Sequence, residues 1–145
     1  MSSVMIVDDE SAIRAVLARW LAPEGYDIRE APDAEAALAE LAKATADVVL
    51  CDVEMPGQGG LWLAEQLRER FPATAIVLAT AVDSIPPTTS FKSGIVEYLV
   101  KPFARDLVLS AVAHGIEWRA VALARGSAAP ANEERLKKWL DGKQP

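Results

Sequence analysis

Five stretches of the chain carry strand-like hydrophobic patterns, with helix-like stretches between them. The continuous apolar runs SVMIV (3–7), DVVLC (47–51) and TAIVLA (74–79) predict strands buried on both faces. YDIRE (26–30) alternates apolar and polar residues, and IVEYLV (95–100) is mixed, so both read as edge strands. After the first strand, Ile13, Val16, Leu17, Trp20 and Leu21 mark one stripe of a helix that Pro23 and Gly25 close. Asp33 caps the alanine-rich helix AEAALAELAKA, and LWLAEQLRERF makes a third helix that Pro72 stops. ARDLVLSAVAHGIEWRAVALARG (104–126) predicts a last helix longer than such a sheet needs.

Strands alternating with helices predict an α/β fold, a doubly wound five-stranded parallel sheet with right-handed crossovers. Strands one, three and four are central by their hydropathy and two and five are edges, which is met by the order 2-1-3-4-5. SIPPTTSFKSG (84–94) falls where a fourth helix is due, but Pro86 and Pro87 limit it to two turns at best, a shortened or irregular helix. The expected organisation is one domain over 1–125, a linker over 126–132, and a short C-terminal helix and tail over 133–145. Leu136, Trp139 and Leu140 give that last helix an apolar stripe, and it is too short to stand alone.

Composition narrows the function classes. A net charge of −6 disfavours nucleic acid as a direct partner. A single cysteine excludes internal disulfides and a thiolate metal site, and fits a reducing cytoplasm. The first residues lack the pattern of a signal peptide, and no apolar run approaches the roughly 18 residues of a membrane span. The expected location is cytoplasmic, without membrane contact.

Polar residues interrupt the pattern at the ends of four strands. Strand one ends in Asp8 and Asp9, strand three in Asp52, strand four in Thr80 and strand five in Lys101. In a parallel sheet of this order these ends share one edge, the place where ligands bind. Three carboxylates and one ammonium sum to −2, which a divalent cation neutralises. An all-oxygen donor set favours Mg²⁺, or Mn²⁺ as its near equivalent. A carboxylate beside a metal and a lysine suits nucleophilic attack on phosphorus, with Asp52 as nucleophile and Lys101 and Thr80 stabilising the transferred group.

VDD (7–9), CDVEMPG (51–57), LAT (78–80) and YLVKPF (98–103), in this order and at these strand ends, resemble the receiver domains of two-component response regulators. The likeness covers about residues 3–122 and implies a flavodoxin-like fold and a domain that is not an enzyme beyond its own phosphorylation and dephosphorylation. It implies Asp52 as phosphoacceptor, with Asp8, Asp9, Asp52 and the Glu54 backbone carbonyl holding Mg²⁺. It also implies a cis Lys101–Pro102 peptide and a conformational switch through Thr80 and Tyr98. The implied donor is the phosphohistidine of a sensor histidine kinase or phosphotransfer protein, and the implied reader is an effector protein or output domain. The Glu54 side chain is expected to modulate hydrolysis of the phosphoryl group. Gly59 stands where family members often carry Asp, a detail of the turn. The irregular 84–94 segment departs from the family on its usual output face, so partner recognition is expected to differ. The extended last helix suits a connector or a homodimer.

The remaining candidates carry plainer readings. His114 is expected to serve packing or the surface rather than a phosphohistidine relay, and Cys51 is an inert core residue. Trp62 and Trp118 are core or rim aromatics. Two other functions compete: a phosphate-independent interaction module, and a phosphatase of the haloacid dehalogenase type. The second expects its nucleophile in a D-x-D pattern at the end of strand one, where this chain has DDES.

Overall fold

The computed structural model describes residues 1–81 and 94–125. The elements follow the hydropathy closely: β1 Ser3–Val7, α1 Ser11–Leu21, β2 Asp27–Ala31, α2 Ala34–Lys43, β3 Val48–Asp52, α3 Gly60–Arg70, β4 Ala75–Thr80, β5 Ile95–Val100 and α4 Arg105–Arg125. The expected short helices over 84–94 and 133–145 lie outside the described residues, apart from Gly94.

All strand pairs are parallel and the order is β2-β1-β3-β4-β5, as the burial pattern of the strands requires. Every residue of β3 and β4 is buried, while β2 and β5 are largely half-exposed. The pleat sends alternate side chains into two cores. Val4, Ile6, Val48, Leu50 and Val77 pack under α1 and α4, and Met5, Val7, Val49, Cys51 and Leu78 pack under α2 and α3. With both faces covered, the central strands need no polar positions, so their sequences read as unbroken apolar runs.

The helices end where the sequence signals them. A 3₁₀ turn over Ala22–Glu24 follows α1, and Gly25 closes it in the left-handed region at φ 90°. The Asp33 side chain accepts a 2.7 Å hydrogen bond from the Ala36 amide and caps α2. The α1 stripe is narrower than expected: Leu17 and Leu21 are buried, Ile13 and Trp20 pack at its margin, and Val16 is exposed.

The 21 residues of α4 make a helix long and apolar enough to cross a membrane by length and composition, but it covers the sheet with Val108, Ala111, Val112, Gly115, Trp118 and Ala122. Gly115 lets it sit close, since a β-carbon there would stand 2.9 Å from Val48 Cγ2 and 3.3 Å from Ala75 Cβ. One turn on, Arg119 pairs with Asp47 at 2.6 Å and donates to the Ala73 carbonyl at 3.1 Å. Asp47 in turn accepts the Ser3 amide at 2.8 Å, so α4 is fastened to the entry of both β1 and β3. In Gly115→Ala the gain in helix propensity, about 1 kcal/mol, opposes overpacking of about 1–3 kcal/mol. Denaturant unfolding is expected to show net destabilisation, and Val48→Ala in the same chain should reverse its sign.

Candidate functional site

The C-terminal ends of β1, β3, β4 and β5 meet at one edge, and each delivers its polar residue there. Asp8, Asp9 and Asp52 place one carboxylate oxygen each within 4.8 Å of one another. Asp8 and Asp52 are buried, at 3% and 7% exposure, while Asp9 faces solvent. Lys101 reaches in from the end of β5, its Nζ 3.3 Å from Asp52 Oδ2 and 3.6 Å from Asp8 Oδ2. The Lys101–Pro102 peptide is cis, as the resemblance implies.

Backbone donors complete the arrangement. The Glu10 amide donates to Asp8 Oδ1 at 2.9 Å, and the Glu54 amide lies 3.4 Å from Asp52 Oδ1 while its side chain is exposed. The Val53 amide donates to Ala79 O at 2.8 Å and the Lys101 amide to Thr80 O at 2.7 Å, which extends the ladder past the last strand residues. Thr80 is buried, and its hydroxyl donates to the Ala81 carbonyl at 3.2 Å. Tyr98 pairs in register with Leu78, two residues before Thr80 on the neighbouring strand, and is half-buried against the core under α2 and α3. The structure thus unites Asp8, Asp9, Asp52 and Lys101, sets Thr80 beside them at its strand end, and leaves Tyr98 one strand further out.

Electrostatics follow from this crowding. Burial raises the Asp52 pKa; Lys101 pulls it back, Asp8 raises it again, and the net direction is upward. Burial works against the Lys101 ammonium, but Asp52 and Asp8 outweigh it and its pKa lies above the ordinary lysine value. Lys101 is therefore a cation throughout the neutral range. Four formal charges leave −2, and the three acids offer oxygen donors only, so the residues present fit a hard divalent cation.

The turn after β3 braces the site from behind. A β-carbon on Gly60 would stand 2.5 Å from the Asp52 carbonyl oxygen, and one on Gly59 would stand 2.5 Å from that of Val53. Gly59 is therefore more than a turn detail: α3 begins against the backbone of Asp52 and Val53, closer than any side chain permits. Arg14 is a residue the sequence pattern does not single out. It donates to the Asp8 carbonyl at 2.6 Å and pairs with Glu30 at 3.2 Å. His114 is half-exposed and pairs with Glu97 at 3.1 Å, and Trp118 is core, both in line with the plainer readings.

Cys51, one residue before Asp52, is buried, and burial followed by the Asp52 and Asp8 charges pushes its thiol pKa strongly up. It is expected to stay unreactive toward an aromatic disulfide reagent in the folded protein and to react stoichiometrically in denaturant. Rapid labelling of the native chain would contradict that placement.

Comparison with known proteins agrees with this geometry. The family model described as response regulator receiver domain matches residues 4–113. The chain is 38% identical over 114 residues to the DNA-binding transcriptional regulator NtrC of Salmonella typhimurium, covering 78% of this chain and 24% of that one. It is 39% identical over 110 residues to the sensory transduction protein RegX3 of Mycobacterium tuberculosis, covering 74% and 48%. The chain thus spans about a quarter to a half of the length of these relatives. Among solved structures, the response regulator TrrA of Thermotoga maritima in complex with Mg²⁺-BeF superposes with a TM-score of 0.72 at 34% identity, covering 79% of this chain and 99% of that one. The five-stranded order, the acid cluster at its edge and these matches lead to one assignment: the chain belongs to the response regulator receiver domains of two-component signalling.

Proposed function

We propose that the chain accepts a phosphoryl group on Asp52 in a Mg²⁺-dependent reaction, or with Mn²⁺ in its place, and relays the change to a partner. The observation that carries this is the Asp52 carboxylate itself, held at the end of a fully buried strand, 3.3 Å from Lys101 and grouped with Asp8 and Asp9. Asp8, Asp9, Asp52 and the Glu54 backbone carbonyl would hold the cation. Once bound, it offsets charge on the phosphoryl oxygens and on the acids.

In the transfer, an Asp52 carboxylate oxygen forms the bond to phosphorus as the donor's bond to phosphorus breaks, and the leaving group departs with that electron pair. Lys101 balances the charge on the transferring oxygens from the side of β5. The Thr80 hydroxyl, donated to the Ala81 carbonyl in the present state, turns toward the phosphoryl group, and Tyr98 moves into the space it leaves. The donor is the phosphohistidine of a sensor histidine kinase or phosphotransfer protein, and hydrolysis of the acyl phosphate resets the domain, with the Glu54 side chain modulating its rate. The domain catalyses nothing beyond its own phosphorylation and dephosphorylation. It works in the cytoplasm, through an effector protein or output domain rather than by touching nucleic acid or membrane. The receiver is assigned to residues 1–125. The length of α4 suits a connector or a homodimer.

Intact mass after incubation with Mg²⁺ and a small acyl phosphate tests the proposal. One added phosphoryl group is expected in the wild type and none in Asp52→Asn or without metal. Wild type that neither gains mass nor releases phosphate would favour the phosphate-independent interaction module. A modified Asp52→Asn would move the nucleophile elsewhere.

A further inference from the structure

We infer that Arg14 and Glu30 together form a bracket that positions the Asp8–Asp9 pair for a divalent cation, with Arg14 as the positioning residue and Glu30 as its anchor. This rests on the reading of Asp8, Asp9 and Asp52 as a cation site. The two acids differ in how they are held. Asp8 is fixed through its side chain, by the Glu10 amide at 2.9 Å and Lys101 at 3.6 Å. Among the described residues, no hydrogen bond or ion pair holds the Asp9 carboxylate, so its position follows from the backbone alone.

The carbonyl gripped by Arg14 belongs to the peptide that joins Asp8 to Asp9. Arg14 Nη1 lies 2.6 Å from that oxygen, and Nε lies 3.2 Å from Glu30 Oε1. Fixing this oxygen fixes the peptide plane, and with it the direction in which Asp9 leaves the chain. The bracket ties three elements together, since Arg14 belongs to α1, Asp8 follows β1, and Glu30 lies on β2 opposite Ile6. A planar guanidinium serves two acceptors at once in a fixed fork, which an ammonium does not reproduce.

Glu30 has a second effect. A guanidinium bound to the Asp8 carbonyl brings a positive charge to the margin of the acid site, and pairing with Glu30 holds Arg14 on that carbonyl. The Arg14–Glu30 pair is neutral, so the net −2 of the acids and Lys101 stays available to the cation.

Charge and position make opposite claims about Arg14→Ala. By charge alone, losing a cation makes the site more negative and tightens Mg²⁺ binding. By position, it frees the Asp8–Asp9 peptide and weakens binding. Calorimetric titration of the full chain with Mg²⁺ at fixed ionic strength separates the two. Arg14→Ala is expected to bind about tenfold more weakly, the low end for residues that orient metal ligands. Arg14→Lys should fall between it and wild type. Glu30→Gln should also weaken binding, and Arg14→Ala with Glu30→Gln should match Arg14→Ala alone, since both disable one bracket. Melting temperatures without metal show whether each variant is folded; should Arg14→Ala not fold, Arg14→Lys and Glu30→Gln carry the test. Wild-type affinity or tighter binding in the folded variants overturns the inference and leaves the functional reading standing. Wild type that binds no Mg²⁺ overturns both.

Discussion

The repulsion among Asp8, Asp9 and Asp52 is the constraint that the rest of the structure serves. Free chains do not bring three carboxylates within 4.8 Å of one another around a single ammonium. Here the cost is met by the sheet. β1 and β3 are buried on both faces, so their ends cannot splay without opening two cores at once. Each device around the edge limits another route of relaxation. Lys101 spans Asp8 and Asp52, backbone amides approach the acids, and Gly59 and Gly60 let α3 close against the turn behind Asp52.

The same logic extends to the far end of the sheet. Asp47 enters β3 five residues before Asp52 and is held by Ser3 and by Arg119 of α4. Gly115 seats α4 against Val48, the first residue of that strand. The strand bearing Asp52 is thus gripped at its entry by the last helix and at its exit by the acid site. A rearrangement at Asp52 therefore meets a stiff strand.

The sequence displayed what depends on burial and on strand ends. Unbroken apolar runs against alternating ones gave the strand order, because two covered faces and one covered face leave different patterns. Asp8, Asp9, Asp52, Thr80 and Lys101 stood out because each is the polar residue that stops an apolar run. What stayed hidden depends on contacts with backbone or across long separations. Arg14 is bound to a carbonyl, a group every residue carries, so nothing in its neighbours marks it. The Arg119–Asp47 pair joins residues far apart in the chain. The need for Gly59, Gly60 and Gly115 arises from close approach, which periodicity does not encode. Val16 fits the α1 stripe by spacing yet is exposed, because the sheet covers a narrower arc of that helix than the stripe spans.

If the acids are held together against their repulsion, neutralising Asp52 without changing its shape should relieve the fold. The most direct measurement is the melting temperature of wild type and Asp52→Asn, each with and without Mg²⁺. Burial already places the Asp52 pKa above normal, so its ionisation opposes folding at neutral pH. Asp52→Asn is expected to melt a few degrees higher than wild type without metal, roughly the effect of 1 kcal/mol in a domain of this size. The Mg²⁺-dependent rise expected of wild type should shrink or vanish in the variant. An Asp52→Asn protein that melts lower without metal would show that the carboxylate stabilises the fold, and would contradict the account.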